Sequence, residues 1–188
     1  MSVAATSELF DCSRLVAVFD DCFGVAENTV LAGGAEEPLY QPADENNPRN
    51  RLLFREDYFA SALHETAHWC IAGAERRKLV DFGYWYAPEG RSAGQQRAFE
   101  AVEVKPQALE WLFSLACGYR FRISVDNFGD QGELVDSANF RHAVAAQARL
   151  WQETGLPSRA ARFFSALRQE FGNAITLQEV CFDPGALA

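Results

Sequence analysis

Residues 64–68 read His-Glu-Thr-Ala-His, and this pentapeptide constrains the fold more than any other part of the chain. Two histidines four apart act together only if the backbone between them is helical. One turn, about 5.4 Å, then stacks both imidazoles on the same face. Two imidazoles so placed can reach one metal ion, the HExxH pattern of metal-dependent enzymes. The chain holds only three histidines in 188 residues. By ordinary residue usage the pattern arises by chance about once in a hundred chains of this length.

The flanking residues support a helix. From Asp57 to Arg77 there is no Pro, and no Gly before Gly73. Phe59, Leu63, Ala67, Cys70 and Ile71 recur at helical spacing and define a buried stripe. His64 and His68 fall on its edge, so both are expected half-buried and facing inward. Asp57 suits the helix start, and Arg76, Arg77 and Lys78 suit its C-terminal end. Cys70 is expected as a small core residue.

Elsewhere the pattern is mixed. A first amphipathic helix is expected over 13–23, with short extended pieces at 28–31 (ending at Gly33-Gly34), 39–41, 51–54, 82–86 and 121–125. A second helix is expected over about 95–104. Pro106 either opens a new helix or kinks a continuous one through Cys117. Residues 133–154 and 159–171 read as two further helices. The expectation is an α+β fold, one domain over residues 1–188, with helices packed around a small mixed β-sheet and the motif on a central helix.

Composition agrees with such a core: 48% apolar and 13% aromatic, with 15 Phe. No apolar run is long enough for a membrane span. The first 14 residues lack the basic start and apolar block of a secretory signal. Five scattered cysteines, with no CxxC pair, fit a reduced cytoplasmic protein. A net charge of −9 argues against direct nucleic-acid binding.

A third protein ligand is needed to complete a metal site. His142 is one candidate. Glu100 and Glu103, at i,i+3 beside Phe99, Val102 and Val104, are the carboxylate candidates. Two histidines and a carboxylate serve two chemistries. With zinc they form a hydrolase site in which Glu65 is the general base. With ferrous iron they form the facial triad of oxygenases, in which Glu65 fixes a histidine or handles a proton. A non-catalytic docking module would leave both histidines and the glutamate without a task. The Asp-Phe-Gly at 81–83 has no Gly-rich phosphate loop with it and is not a kinase signature.

Three blocks in order, HETAHWCIAG, LVDFGYWY and FEAVEVKPQALEWLF, resemble the bacterial elongation factor P hydroxylase family. The resemblance is strong from about Asn50 to Cys117. It runs more weakly to PLYQPAD at 38–44 and RAARFFSAL at 159–167. It implies a cytoplasmic hydroxylase acting on a lysine of elongation factor P that already carries a β-lysyl group. It implies Fe(II) held by His64, His68 and Glu103 (Glu100 as the fallback), with O2 as co-substrate; zinc or another divalent cation can occupy the same ligands. It also implies a fold similar to a bacterial metal-dependent endoribonuclease, which does not carry ribonuclease activity with it. In this reading Asp81, Tyr84 and Trp85 line the lysine-binding cleft, where an ammonium finds aromatic faces and a carboxylate.

Overall fold

A computed structural model describes residues 9–81, 92–124 and 138–187. Helix α1 (Cys12–Phe19) starts at Asp11, whose carboxylate accepts the Ser13 N–H at 2.8 Å. It widens into a π-helical turn, Asp20–Gly24. Three strands follow: β1 (Thr29–Ala35), β2 (Leu39–Gln41) and β3 (Asn50–Arg55). Strand β3 lies in the centre, parallel to β1 and antiparallel to β2, which is the small mixed sheet expected. Strand β1 does not stop at Gly33-Gly34. It passes through them as an irregularity between Ala32 and Ala35. Gly34 has φ 88°, and a Cβ on Gly33 would lie 2.5 Å from the Glu56 carbonyl oxygen.

Strand β3 feeds directly into helix α2 (Phe59–Ile71), which carries the motif. Ser61 Oγ accepts the Arg55 N–H at 3.0 Å and ties the two elements together. The helix is shorter than the sequence suggests. It begins after Tyr58, with no side-chain cap from Asp57, and ends at Ala72. The cation at its C-terminal end is Arg159, from far along the chain. Its guanidinium donates to the Trp69 and Ala72 carbonyls and lies 4.9 Å from the Trp69 ring centroid. Arg76–Lys78 form a separate 3-10 turn.

Helix α3 (Ala93–Cys117) is a single element. Ser92 and Gln95 form a reciprocal capping box at its start, and Gly118, at φ 70°, ends it. Pro106 sits inside without ending the helix. The hydrogen bond it forgoes would go to the carbonyl of Val102, a residue on the solvent side. Helices α4 (Ala138–Thr154) and α5 (Ser158–Glu170) complete the framework. Leu109, Leu112 and Phe113 of α3 are fully enclosed, as are Leu63 and Ala67 of α2, Val144 and Ala148 of α4, and Phe163 and Leu167 of α5. Phe163 meets Phe113 and Phe19 edge-on, at 5.0 and 6.1 Å. The expected stripe of α2 is buried at Phe59, Leu63, Ala67 and Cys70, and half-buried at Ile71. The five cysteines are free thiols. No helix among the described residues is long and apolar enough to cross a membrane.

The strand expected at 121–125 is not formed over its described residues. Residues 119–124 have no regular secondary structure and no strand partner. Phe121 is buried and stacks on Trp111, while Arg122 faces outward, so the alternation is real. The backbone partner is a side chain instead. Gln107 of α3 donates to the Ser124 carbonyl at 2.7 Å and accepts the Ser124 N–H at 3.0 Å, as a neighbouring strand would. Of the aromatic piece at 82–86 nothing falls within the described residues. Its neighbour Asp81 bridges the backbone of Tyr40.

Candidate metal centre

Helices α2 and α3 pack face to face, and the candidate ligands meet at their crossing. His64 and His68 are one turn apart, edge to face, with ring centroids 4.7 Å apart. Their Nε2 atoms point at each other across 3.1 Å. Glu103 of α3 closes the group: Oε1 is 3.1 Å from His68 Nε2, and Oε2 is 3.5 Å from His64 Nε2. One ligand atom from each of the three lies within 4.8 Å of the others.

Position along α3 separates Glu103, which is present, from Glu100, which is not. Residues 103, 107 and 110 follow at i, i+4 and i+7 and share one stripe. Glu103, Gln107 and Glu110 are all buried. Glu100 falls on the same face, seven residues before Gln107, but one turn back along the axis and outside the donor group. It is half-buried and accepts a hydrogen bond from Gln96 Nε2 at 3.0 Å. His142 is exposed on α4 and is not in the donor group.

Glu110 is the residue that the sequence reading passed over. Its Oε2 lies 2.8 Å from His64 Nδ1. A ring that donates Nδ1–H to a carboxylate keeps its Nε2 lone pair for a cation. A signal was available in the sequence. A glutamate seven residues after Glu103, between Leu109 and Trp111, sits on the same helix face as a carboxylate candidate.

The electrostatics match a site built for a cation. Burial disfavours a charge on His64, but the Glu110 hydrogen bond and the charges of Glu110, Glu103 and Glu65 raise it to about 10. Burial also penalises the Glu103 charge, yet His68, His64 and Gln107 draw it down to about 2. Glu65 is buried on α2 beside the donors. Burial holds its carboxyl above the usual range, against the pull of both histidines.

The donor chemistry fits a divalent metal. Two ring nitrogens 3.1 Å apart can share at most one proton along that line. A cation satisfies both lone pairs and the facing carboxylate at once. A cavity of about 230 Å³ opens onto the group, lined by Arg55, Ser61, Glu65, Phe99, Arg122 and Ser124 as well as the donors. A smaller cavity, about 30 Å³, lies beyond Glu65 and His68, which line both.

Asp81 lines the small cavity and not the large one. Its carboxylate accepts from Arg76 Nε at 2.6 Å. Tyr84 and Trp85 lie outside the described residues.

Comparison with known proteins bears on this site. The family model described as elongation factor P hydroxylase matches residues 18–182. A curated relative from Haemophilus influenzae, named elongation factor P lysine hydroxylase, is 49% identical over 153 residues, which cover 81% of this chain and 85% of the relative.

Proposed function

We propose, because this chain belongs to the elongation factor P hydroxylase family, that it hydroxylates a lysine of elongation factor P already extended by a β-lysyl group. The reaction is assigned to a non-haem iron centre held by His64, His68 and Glu103, with residues 1–188 acting as one cytoplasmic unit. The observation that carries this reading is the convergence of two imidazoles and one buried carboxylate within 4.8 Å. That set leaves coordination positions open on the metal. Fe(II) bound there supplies the capacity to activate O2 for insertion into a C–H bond.

The chain's own residues do the rest. Glu110 holds the His64 ring in the tautomer that offers Nε2. Gln107 donates to Glu103 Oε2 at 3.4 Å and steadies that carboxylate. Glu65 carries or releases a proton at its carboxyl beside the donors, since burial raises it above the usual carboxylate range. The large cavity admits the extended side chain and excludes bulk water around it. Asp81, Tyr84 and Trp85 are assigned to the ammonium groups, Asp81 from the small cavity beyond Glu65 and His68, where it already pairs with Arg76.

The test is the intact mass of elongation factor P from cells with and without this chain. A gain of about 16 Da, one oxygen, is expected to require His64, His68 and Glu103. The same mass in both cells refutes the assignment.

A further inference from the structure

The large cavity has two electrical zones. Its floor is acidic: Glu65, Glu103 and Glu110 are all buried there. Its rim is cationic. Arg55 sits at the end of β3, and Arg122 on the strap after α3; both are exposed. Neither guanidinium takes part in an ion pair among the described residues. Yet the chain carries 26 acidic residues against 17 Lys and Arg. Arg14, Arg49, Arg76 and Arg77 each have a carboxylate partner. The two that border the cavity have none among the described residues and face solvent, as do Arg97 and Arg120 elsewhere on the described surface.

The rim is held in place at both ends. Arg55 is fixed by its N–H to Ser61 Oγ at the β3–α2 junction. Arg122 lies between Phe121, stacked on Trp111, and Ser124, clamped by Gln107. The buried amide of Gln107 therefore joins the strap to the helix that bears Glu103.

We propose that Arg55 and Arg122 form a docking rim for carboxylate side chains on the surface of the protein substrate, flanking the lysine that enters the cavity. The inference rests on the reading of the site as a lysine hydroxylase. A lysine side chain must pass two guanidinium groups to reach the metal site. Carboxylates carried on the same substrate neutralise the rim and remove that repulsion. A free lysine or a basic peptide keeps it, so the rim selects for context as well as side chain. A nucleic acid would also meet the arginines, but the net charge of −9 opposes a polyanion.

The test is binding, which needs no turnover. The metal-loaded full chain is titrated with elongation factor P carrying the unhydroxylated β-lysyl-lysine, at low and raised ionic strength. Arg55→Glu and Arg122→Glu are each expected to weaken binding about tenfold at low salt, and Arg→Lys at either position to retain it. Wild-type affinity is expected to fall with salt, and that of the double reversal to respond far less. Metal content and unfolding midpoint, measured on each variant, are expected to match wild type. Reversal variants that bind like wild type overturn the rim, and so do variants whose weakened binding tracks lost metal. Displacement of the factor by single-stranded RNA, or by a small dicarboxylate, with the same arginine dependence reassigns the arginines and also overturns it. A wild type that binds the factor but leaves its mass unchanged refutes the hydroxylase reading alone. A wild type that does not bind it removes the premise, and the rim with it.

Discussion

Replacing Glu110 by Ala isolates the contribution of the carboxylate behind His64. The hydrogen bond is 2.8 Å long, and its partners have side-chain exposures of 8% and 23%. Water cannot fully replace the lost acceptor. A charged hydrogen bond removed from such a setting costs about 1.5–3 kcal/mol. Here the loss falls on the orientation and basicity of a metal ligand, so metal affinity is expected to drop about 10- to 100-fold. Glu110→Gln keeps an acceptor oxygen but removes the charge, and should lose clearly less. Glu110→Ala should also lower the pKa of His64 in the metal-free protein, because Glu110 is the largest influence raising it. The assay is competition for metal against a chelator of known affinity, with the His64 ring followed by NMR in the same samples. A Glu110→Ala protein that folds and binds metal like wild type refutes the reasoning. Equal losses for Gln and Ala would show that the charge alone matters and not the orientation.

Glu103→Gln is expected to abolish tight metal binding, while Glu100→Gln leaves it near wild type; metal content after dialysis distinguishes them, and the reverse pattern would exchange their roles. Metal affinity should rise with pH. In the metal-free protein His64 holds a proton up to about 10, and a metal must displace it, so affinity gains up to about tenfold per pH unit below that value; isothermal titration in buffers of different ionisation enthalpy measures the proton released, and a release of none counts against the assignment. For the metal-free protein the sign reverses. A histidine pKa raised on folding stabilises fully below about 6.5 and loses that stabilisation as pH climbs toward 10, so the unfolding midpoint should fall over that window. Gln107→Leu strands both Ser124 backbone groups and should destabilise the chain by about 1–3 kcal/mol in denaturant unfolding; an unchanged midpoint would mean that 119–124 is held by Phe121 packing alone.

Local pattern made much of this molecule legible in advance. The motif helix, its buried stripe and the half-buried histidines depend on residues within a few turns of one another, where 3.6-residue periodicity is a direct physical constraint. The pairing of the histidines with a carboxylate likewise followed from coordination chemistry. Helix ends were less legible: the cation at the end of α2 is Arg159, brought by the packing of α5, and no residue near position 72 announces it. The strap at 119–124 alternates as a strand does, but alternation reports burial and not a backbone partner, and that partner is the Gln107 side chain.

By itself the sequence determined that a helix within residues 57–77 carries the motif, that this helix presents two imidazoles on one side, and that a mixed α+β core surrounds it. Only the tertiary structure decided that Glu103 and not Glu100 meets them, and that Glu110 stands behind His64. The physical reason is that helix periodicity fixes which residues share a face, whereas the rotation and crossing of α2 on α3 fix which face turns inward and which turn of it meets the histidines. That rotation is set by the whole apolar surface of the two helices, summed over residues too distant in the chain for any local pattern to report.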